Sequence, residues 1–246
     1  MRKIAIANRK GGVGKTTTAV HLAAGLALAD KATLLIDTDT QSQCAKHLGI
    51  QPLIGLAALL LDGEDAVMTA RAKLDVLAGG MELAAADREI SIRELAVEYA
   101  LTEAMRPIEE RYEYIIIDGA PGFSRLSVNA LVYADEIICP VSLEGLAVHG
   151  LVNFLAEIRK ISEHAGTVLS HVLPTFYDKR VGQTDDFHAQ LLDHVGDLLL
   201  DPIPYSVAVS EAAARGQTVY EYRKRDRASY QYIKTAEGIL GERQSA

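Results

Sequence analysis

The sequence contains no tryptophan, only four phenylalanines and only two cysteines among its 246 residues. Cys44 and Cys139 lie far apart and in no C-x-x-C pair, which excludes a disulfide framework or a cysteine-rich zinc site and suggests packed thiols in a reducing compartment. No apolar run reaches membrane length: the longest uncharged one, Leu53 to Leu61, is about half of the roughly 20 residues that a spanning helix needs. Met1-Arg2-Lys3 is followed by a strand-length apolar run with no cleavage site, so no secretory signal is read there. A cytoplasmic protein without membrane partners is the expectation. A basic excess is missing too. With 25 Lys and Arg against 33 Asp and Glu, the net charge of −8 argues against binding nucleic acid over the whole surface, so any DNA contact has to be concentrated in a patch. There are no repeats, and histidines such as His21, His149 and His188 are scattered without ligand spacing, as packing or surface residues would be. The 49% hydrophobic content over this length fits one sizeable core, a single domain over residues 1–246.

What is present begins at the N-terminus. Lys3-Ile4-Ala5-Ile6-Ala7 reads as a buried strand, and Ala19, Leu22, Ala23, Leu26 and Ala27 recur at helical spacing. Between them lies Asn8-Arg9-Lys10-Gly11-Gly12-Val13-Gly14-Lys15-Thr16-Thr17-Thr18, a glycine-rich turn from strand to helix. Glycines there let successive N–H groups point inward, and the start of the helix adds the positive end of its dipole, so an anion is favoured. The main chain from Gly11 through Val13 and Gly14 to Thr17 would cradle phosphates. Lys15 would reach the β and γ phosphates, and the Thr16 hydroxyl would hold Mg²⁺.

Two further strands end in carboxylates. Ala32-Thr33-Leu34-Leu35-Ile36-Asp37 runs into Thr38-Asp39-Thr40-Gln41-Ser42-Gln43, and Tyr112-Glu113-Tyr114-Ile115-Ile116-Ile117 ends at Asp118, followed by Gly119-Ala120-Pro121-Gly122. Carboxylates at the C-terminal ends of buried strands sit on the ligand edge of an open parallel sheet. From the residues alone, the first group is either part of a ligand site or an Asp-rich turn that caps the next helix. Asp118 has the Walker B arrangement, where it would meet Mg²⁺-bound water, and the glycine-flanked loop after it would sense the terminal phosphate.

The remaining pattern predicts a helix and then a linker over Leu53 to Lys73, a strand at Leu74 to Ala78, and one amphipathic helix from Ser91 to Arg111. Ser91 is that helix's expected N-cap, Glu94 completes a capping box, and Pro107 kinks its end. Strands at Glu136 to Val141 and Thr167 to Leu173 flank a helix from Gly145 to His164. The alternation predicts an α/β fold, a doubly wound, mostly parallel sheet flanked by helices. Near the C-terminus Arg223, Lys224, Arg225 and Arg227 crowd together, interrupted by Asp226. With Lys179, Arg180 and Arg215 on the same face they could neutralise several phosphates.

The loop departs from G-x-x-x-x-G-K-[ST], since Arg9 stands where the first glycine belongs, and its K-G-G-V-G-K-T form resembles the deviant Walker A box of the ParA/MinD family of dimeric P-loop ATPases. That resemblance runs through the whole chain and implies ATP, Mg²⁺ and an ATP-dependent homodimer. It implies that Lys10 crosses to the partner's nucleotide and that Asp39, within a D-x-D-P-Q-like box that has Thr40 for proline, orients the attacking water. The metal would be held by Thr16, with Asp39 and Asp118 acting through water. The segment from Pro174 to Arg180, with Thr175 and Asp178, and the Ile203-Pro204 box that ends in Ser210-Glu211-Ala212 would border the base. Preference for ATP over GTP follows from the resemblance alone. Ala120, where the family has proline, leaves the switch loop's response open. The implied activity is that of a slow, partner-stimulated ATPase that binds duplex DNA without sequence preference at the nucleoid, answers to a ParB-like adaptor, and partitions or positions large cargo. No N-terminal helix-turn-helix extension is expected, because the first strand begins at once. A MinD-like membrane ATPase would need an amphipathic basic C-terminal helix, and residues 238–246 are short and polar. A small-molecule ligase of the dethiobiotin synthetase type would use the same loop without needing Lys10. A nitrogenase-type reductase would need switch-adjacent cysteines that Cys44 and Cys139 do not supply.

Overall fold

Three consecutive isoleucines, Ile115, Ile116 and Ile117, lie in the middle strand of the structure, because only a strand covered on both faces can bury an uninterrupted apolar run. The computed structural model describes residues 1–92, 95–122, 124–143 and 147–242. In chain order its elements are β1 (Arg2–Ile6), α1 (Lys15–Leu28), β2 (Thr33–Asp37), α2 (Gln43–His47), α3 (Leu56–Asp62), β3 (Met68–Arg71), β4 (Leu74–Leu77), α4 (Leu83–Ser91), α5 (Ala100–Met105), β5 (Tyr114–Asp118), α6 (Arg125–Tyr133), β6 (Glu136–Ser142), α7 (Ala147–Ala165), β7 (Val168–Thr175), α8 (Gln183–Val195), α9 (Val207–Ala213), α10 (Val219–Tyr222) and α11 (Arg227–Glu242). The sheet runs β3-β4-β2-β5-β1-β6-β7, and all pairs are parallel except β3 with β4.

Alternation along each strand sorts the side chains into two cores. Ile4, Ile6, Leu35, Ile116 and Ile138 meet α1, α2, α9, α10 and α11 on one face. Ala5, Leu34, Ile36, Ile117 and Ile137 meet α3 to α8 on the other. The doubly wound fold expected from the sequence is therefore present. Register puts Asp37 opposite Asp118 and Ile6 opposite Asp118, so β1, β2 and β5 end together beneath one crevice at the point where strand order reverses.

Two expectations are corrected. No single helix spans Ser91 to Arg111. Ser91 ends α4 instead of capping a helix, and its hydroxyl donates to the Asp87 carbonyl at 2.7 Å. Ala96 then takes a left-handed φ of 54°, and α5 is a separate short helix that stops before Pro107. Ile92 and Leu95, which one amphipathic helix from Ser91 to Arg111 would bury on its apolar side, are 73% and 83% exposed, so the periodicity did not report one buried face. The segment is organised by a tertiary contact: Asn129 of α6 accepts from Leu101 N (3.0 Å) and donates to the Val97 carbonyl (2.8 Å). Glu94 lies outside the described residues, as does Gly145, the expected start of α7. The second correction is β3, an edge strand inside the supposed linker. It was hidden because Met-Thr-Ala-Arg alternates over only four residues, with one small apolar side chain, and none of them is fully buried.

Candidate functional site

The glycine-rich loop links β1 to α1 as the sequence predicts, with Gly12 and Gly14 at left-handed φ values of 74° and 85°, where a side chain would be strained. Two neighbouring strands hold it. Asn8 donates from Nδ2 to the Pro140 carbonyl of β6 (2.7 Å) and accepts the Lys10 N–H at Oδ1 (3.0 Å), while Thr175 at the end of β7 donates to the Val13 carbonyl (2.9 Å). Asn8 was not singled out by sequence, since an asparagine before a glycine loop carries no signal of which strand it will grip. Lys15 is buried and its Nζ donates to the Lys10 carbonyl at 3.0 Å, folding the ammonium into the cradle. Burial lowers its pKa, opposed by the carboxylates of Asp118 and Asp39.

Gly11, Gly12, Gly14, Lys15, Thr16, Thr17, Asp39 and Gly119 line one cavity of about 570 Å³. Asp39 therefore faces the phosphate cradle. The reading of Asp39 as a helix cap does not describe the geometry: it is Asp37 whose Oδ2 accepts a first-turn N–H of α2, from Cys44 (3.0 Å), while its Oδ1 accepts the Asp39 N–H (2.9 Å). Asp37 is fully buried and burial pushes its carboxyl up to about 6. The loop is seated against the segment just after β4, where a Cβ on Gly79 would collide with the Asp39 carbonyl. Thr38 joins the two acidic strand ends, donating to the Asp118 carbonyl (2.7 Å) and accepting the Ala120 N–H (3.1 Å). One hydroxyl next to Asp39 thereby bonds the end of β5 and the loop after it.

The burial of Asp118 and the charge of Asp37 push the Asp118 carboxyl up to about 7. Its Oδ1 is buried and without a hydrogen-bond partner among the described residues. A carboxylate so placed, beside Thr16, fits a hard cation that takes oxygen ligands, directly or through water, so the residues fit Mg²⁺.

A second, apolar cavity of about 340 Å³ opens from the first and shares Gly14, Thr17, Phe176 and Ala213 with it. Thr175, Ile203, Pro204, Tyr205 and Val209 complete its walls. Thr175 and Pro204, two of the residues expected beside the base, both line it. Asp178 is not brought there: its carboxylate turns outward onto Arg180 at 2.6 Å and lines neither cavity. The reason is local, since a two-residue spacing closes an ion pair at the chain's own turn.

The seven basic residues fall into separate groups. Lys179, Arg180 and Arg227 border a cavity of about 610 Å³ that also holds Asp178, Asp201 and Asp226. Arg215 and Arg223 lie against the ring of Tyr222 at 4.9 and 5.6 Å, with Glu211 3.9 Å from Arg223. Lys224 and Arg225 are exposed in the turn before α11.

Sequence reading treated His21 as unremarkable, and the structure puts it at the centre of a buried knot. Its Nε2 accepts the Val219 N–H (3.0 Å), so Nδ1 carries the proton and donates to the Thr17 carbonyl (2.7 Å). The ring stacks on Tyr232 at 4.8 Å, and Tyr220 donates to the His21 carbonyl at 2.8 Å. This knot ties the first turn of α1 to α10 and α11, on either side of the basic turn.

Comparison with known proteins agrees with this geometry. A family described as an AAA domain matches residues 1–171. The chromosome partitioning protein ParA of Caulobacter vibrioides is 34% identical over 98% of this chain and 94% of its own. The sporulation initiation inhibitor protein Soj of Bacillus subtilis is 33% identical over 96% and 97%. Among solved structures, a cobyrinic acid a,c-diamide synthase from Mycobacterium smegmatis, with an ATP analogue and magnesium bound, superposes with a TM-score of 0.86 at 27% identity, over all of this chain and 96% of that one.

Proposed function

Because the chain belongs to the ParA/Soj family of ATPases, we propose that it partitions or positions a plasmid, a chromosome or another large cargo through an ATP-gated dimer that holds duplex DNA without sequence preference. ATP and Mg²⁺ are its cofactors and hydrolysis of ATP is its reaction. Bound at Thr16 and Asp118, the cation would neutralise charge on the phosphates. Lys15 binds the β and γ phosphates, and Asp39 orients the attacking water from across the cavity. Thr38 carries the loss of the terminal phosphate to the loop of Gly119 to Gly122.

The observation that carries the dimer is Lys10. Its main chain is locked into the cradle at both N–H and carbonyl, yet the residue is exposed and does not line its own cavity. A cation held at the rim in this way is suited to a second copy's nucleotide. Light scattering with ATP and Mg²⁺ tests it: Lys10→Ala should bind ATP and remain a monomer, and a normal ATP-induced dimer would remove the cross-interface role.

DNA contact is assigned to Arg223, Lys224 and Arg225, which stand exposed at the basic turn, with Arg215, Arg227, Lys179 and Arg180 beside it. A ParB-like adaptor would stimulate turnover, and the dimer would sit on the nucleoid. Among the described residues no helix is long and apolar enough to cross a membrane. Preference of the ATP-bound protein for anionic vesicles over DNA would favour a MinD-like role. The diamide synthase similarity suggests a small-molecule ligase as the other reading. Phosphate release from ATP and Mg²⁺ alone, with no acceptor added, speaks for the ATPase cycle.

A further inference from the structure

Cys44, a fully buried thiol in the first turn of α2, has no part in the proposed cycle. Its Sγ donates to Oδ2 of Asp118 at 3.4 Å. Asp37, the other carboxylate within reach, already accepts the Asp39 and Cys44 N–H groups on its two oxygens (2.9 and 3.0 Å), and the single thiol proton goes to Asp118. The Thr16 hydroxyl, on the wall of the phosphate cavity, stands beside the Asp118 carboxylate, whose Oδ1 has no partner among the described residues. A carboxylate turns about its last bond with little restraint, so an anchor on one oxygen decides where the other points.

We infer that Cys44 is a positioning residue for the cation: its thiol anchors Asp118 by Oδ2 and so leaves Oδ1, the unpartnered oxygen, for Mg²⁺ or one of its waters. The thiol is fully buried and lines neither the phosphate cavity nor the apolar one, so it touches neither nucleotide nor metal itself. Its proton stays on sulfur, because burial and the two carboxylates push the thiol's pKa up. The Cys44 main chain holds Asp37 at the same time, so one residue of α2 links the two acidic strand ends. The inference rests on Asp118 serving the cation, which wild-type protein verifies in the same experiment.

The test is calorimetry of ADP on wild type, Cys44→Ala and Cys44→Ser, each with Mg²⁺ and with EDTA; serine keeps a donor at this position and alanine does not. Cys44→Ala should lose about tenfold in ADP affinity with Mg²⁺, the scale on which partners of metal ligands act, and nothing with EDTA. Cys44→Ser should recover most of the loss. Equal losses in the two variants, or a loss with EDTA as large as with Mg²⁺, would be an effect of packing and would overturn the inference, as would wild-type affinity in Cys44→Ala. Infrared spectroscopy reads the bond itself and decides even where the alanine variant does not fold. The chain has two thiols, so Cys44→Ser identifies the Cys44 S–H band by removing it. In Asp118→Asn that band should move to higher frequency, because the acceptor has lost its charge, and an unmoved band overturns the bond. Wild-type ADP affinity that is the same with Mg²⁺ and with EDTA would instead strike at the cation site itself, and the inference with it.

Discussion

The phosphate edge and the basic turn are both rich in charge, yet they are built on opposite terms. At the edge, Asp37, Asp118 and Lys15 are buried, each fixed by strand register or main-chain bonds, and their pKa values are displaced by burial. At the turn Arg223, Lys224, Arg225 and Arg227 stand in solvent, and acids such as Glu211 and Asp226 lie among them. Buried charge is costly unless it meets a partner, so its presence specifies a ligand. Exposed charge costs little and specifies almost nothing, which is why a surface cluster needs direct measurement.

Substitutions should therefore act sharply at the edge and gradually at the turn. Lys15→Ala is expected to lose ATP affinity by more than about 100-fold in calorimetry, since the other donors are mostly main-chain N–H groups. Unchanged affinity would sink the phosphate assignment. Asp39→Ala should lower phosphate release by about 10²-fold or more while ATP affinity stays within a few-fold. By size exclusion and DNA retention, the trapped ATP form should persist as a dimer and keep its DNA longer than wild type; a monomer that binds neither would remove Asp39 from catalysis.

His21→Gln probes the knot between the two regions. At pH 7.5 it should cost about 2 kcal/mol in denaturant unfolding, the scale of disrupted buried hydrogen bonds. Burial holds His21 near a pKa of about 3 against 6.5 for the free side chain. The unfolded chain takes up a proton near 6.5 and the folded one does not. The stability contributed by neutral His21 is thus complete above that pH and falls as pH drops toward about 3. The gap between wild type and variant should narrow between pH 7.5 and 5, and a constant gap would mean that His21 takes up its proton at the same pH folded as unfolded. The smallest effect per residue belongs to the turn. Arg223→Glu with Arg225→Glu should abolish ATP-dependent DNA retention while leaving basal turnover intact, with the log–log salt slope falling by about one per lost contact. Retention equal to wild type would move the DNA face elsewhere.

The places where reading and structure part are consistent with this contrast. The supposed helix from Ser91 to Arg111 rested on periodicity, and its Ile92 and Leu95 are exposed because Asn129, far away in sequence, dictates how the segment folds back. Asp178 was grouped with the base by position in a box, while its carboxylate answers to Arg180 two residues on.

The sequence by itself determined the strand–loop–helix cradle, the two acidic strand ends and the doubly wound class. These depend on local rules: glycine conformation, buried apolar runs and the break in pattern at each strand's end. Tertiary structure alone decided what sits opposite the loop. Asn8 and Thr175 grip it from β6 and β7, Asp37 reaches Cys44, and His21 and His47 meet across α1 and α2, because strand order and register bring together residues that no spacing along the chain relates.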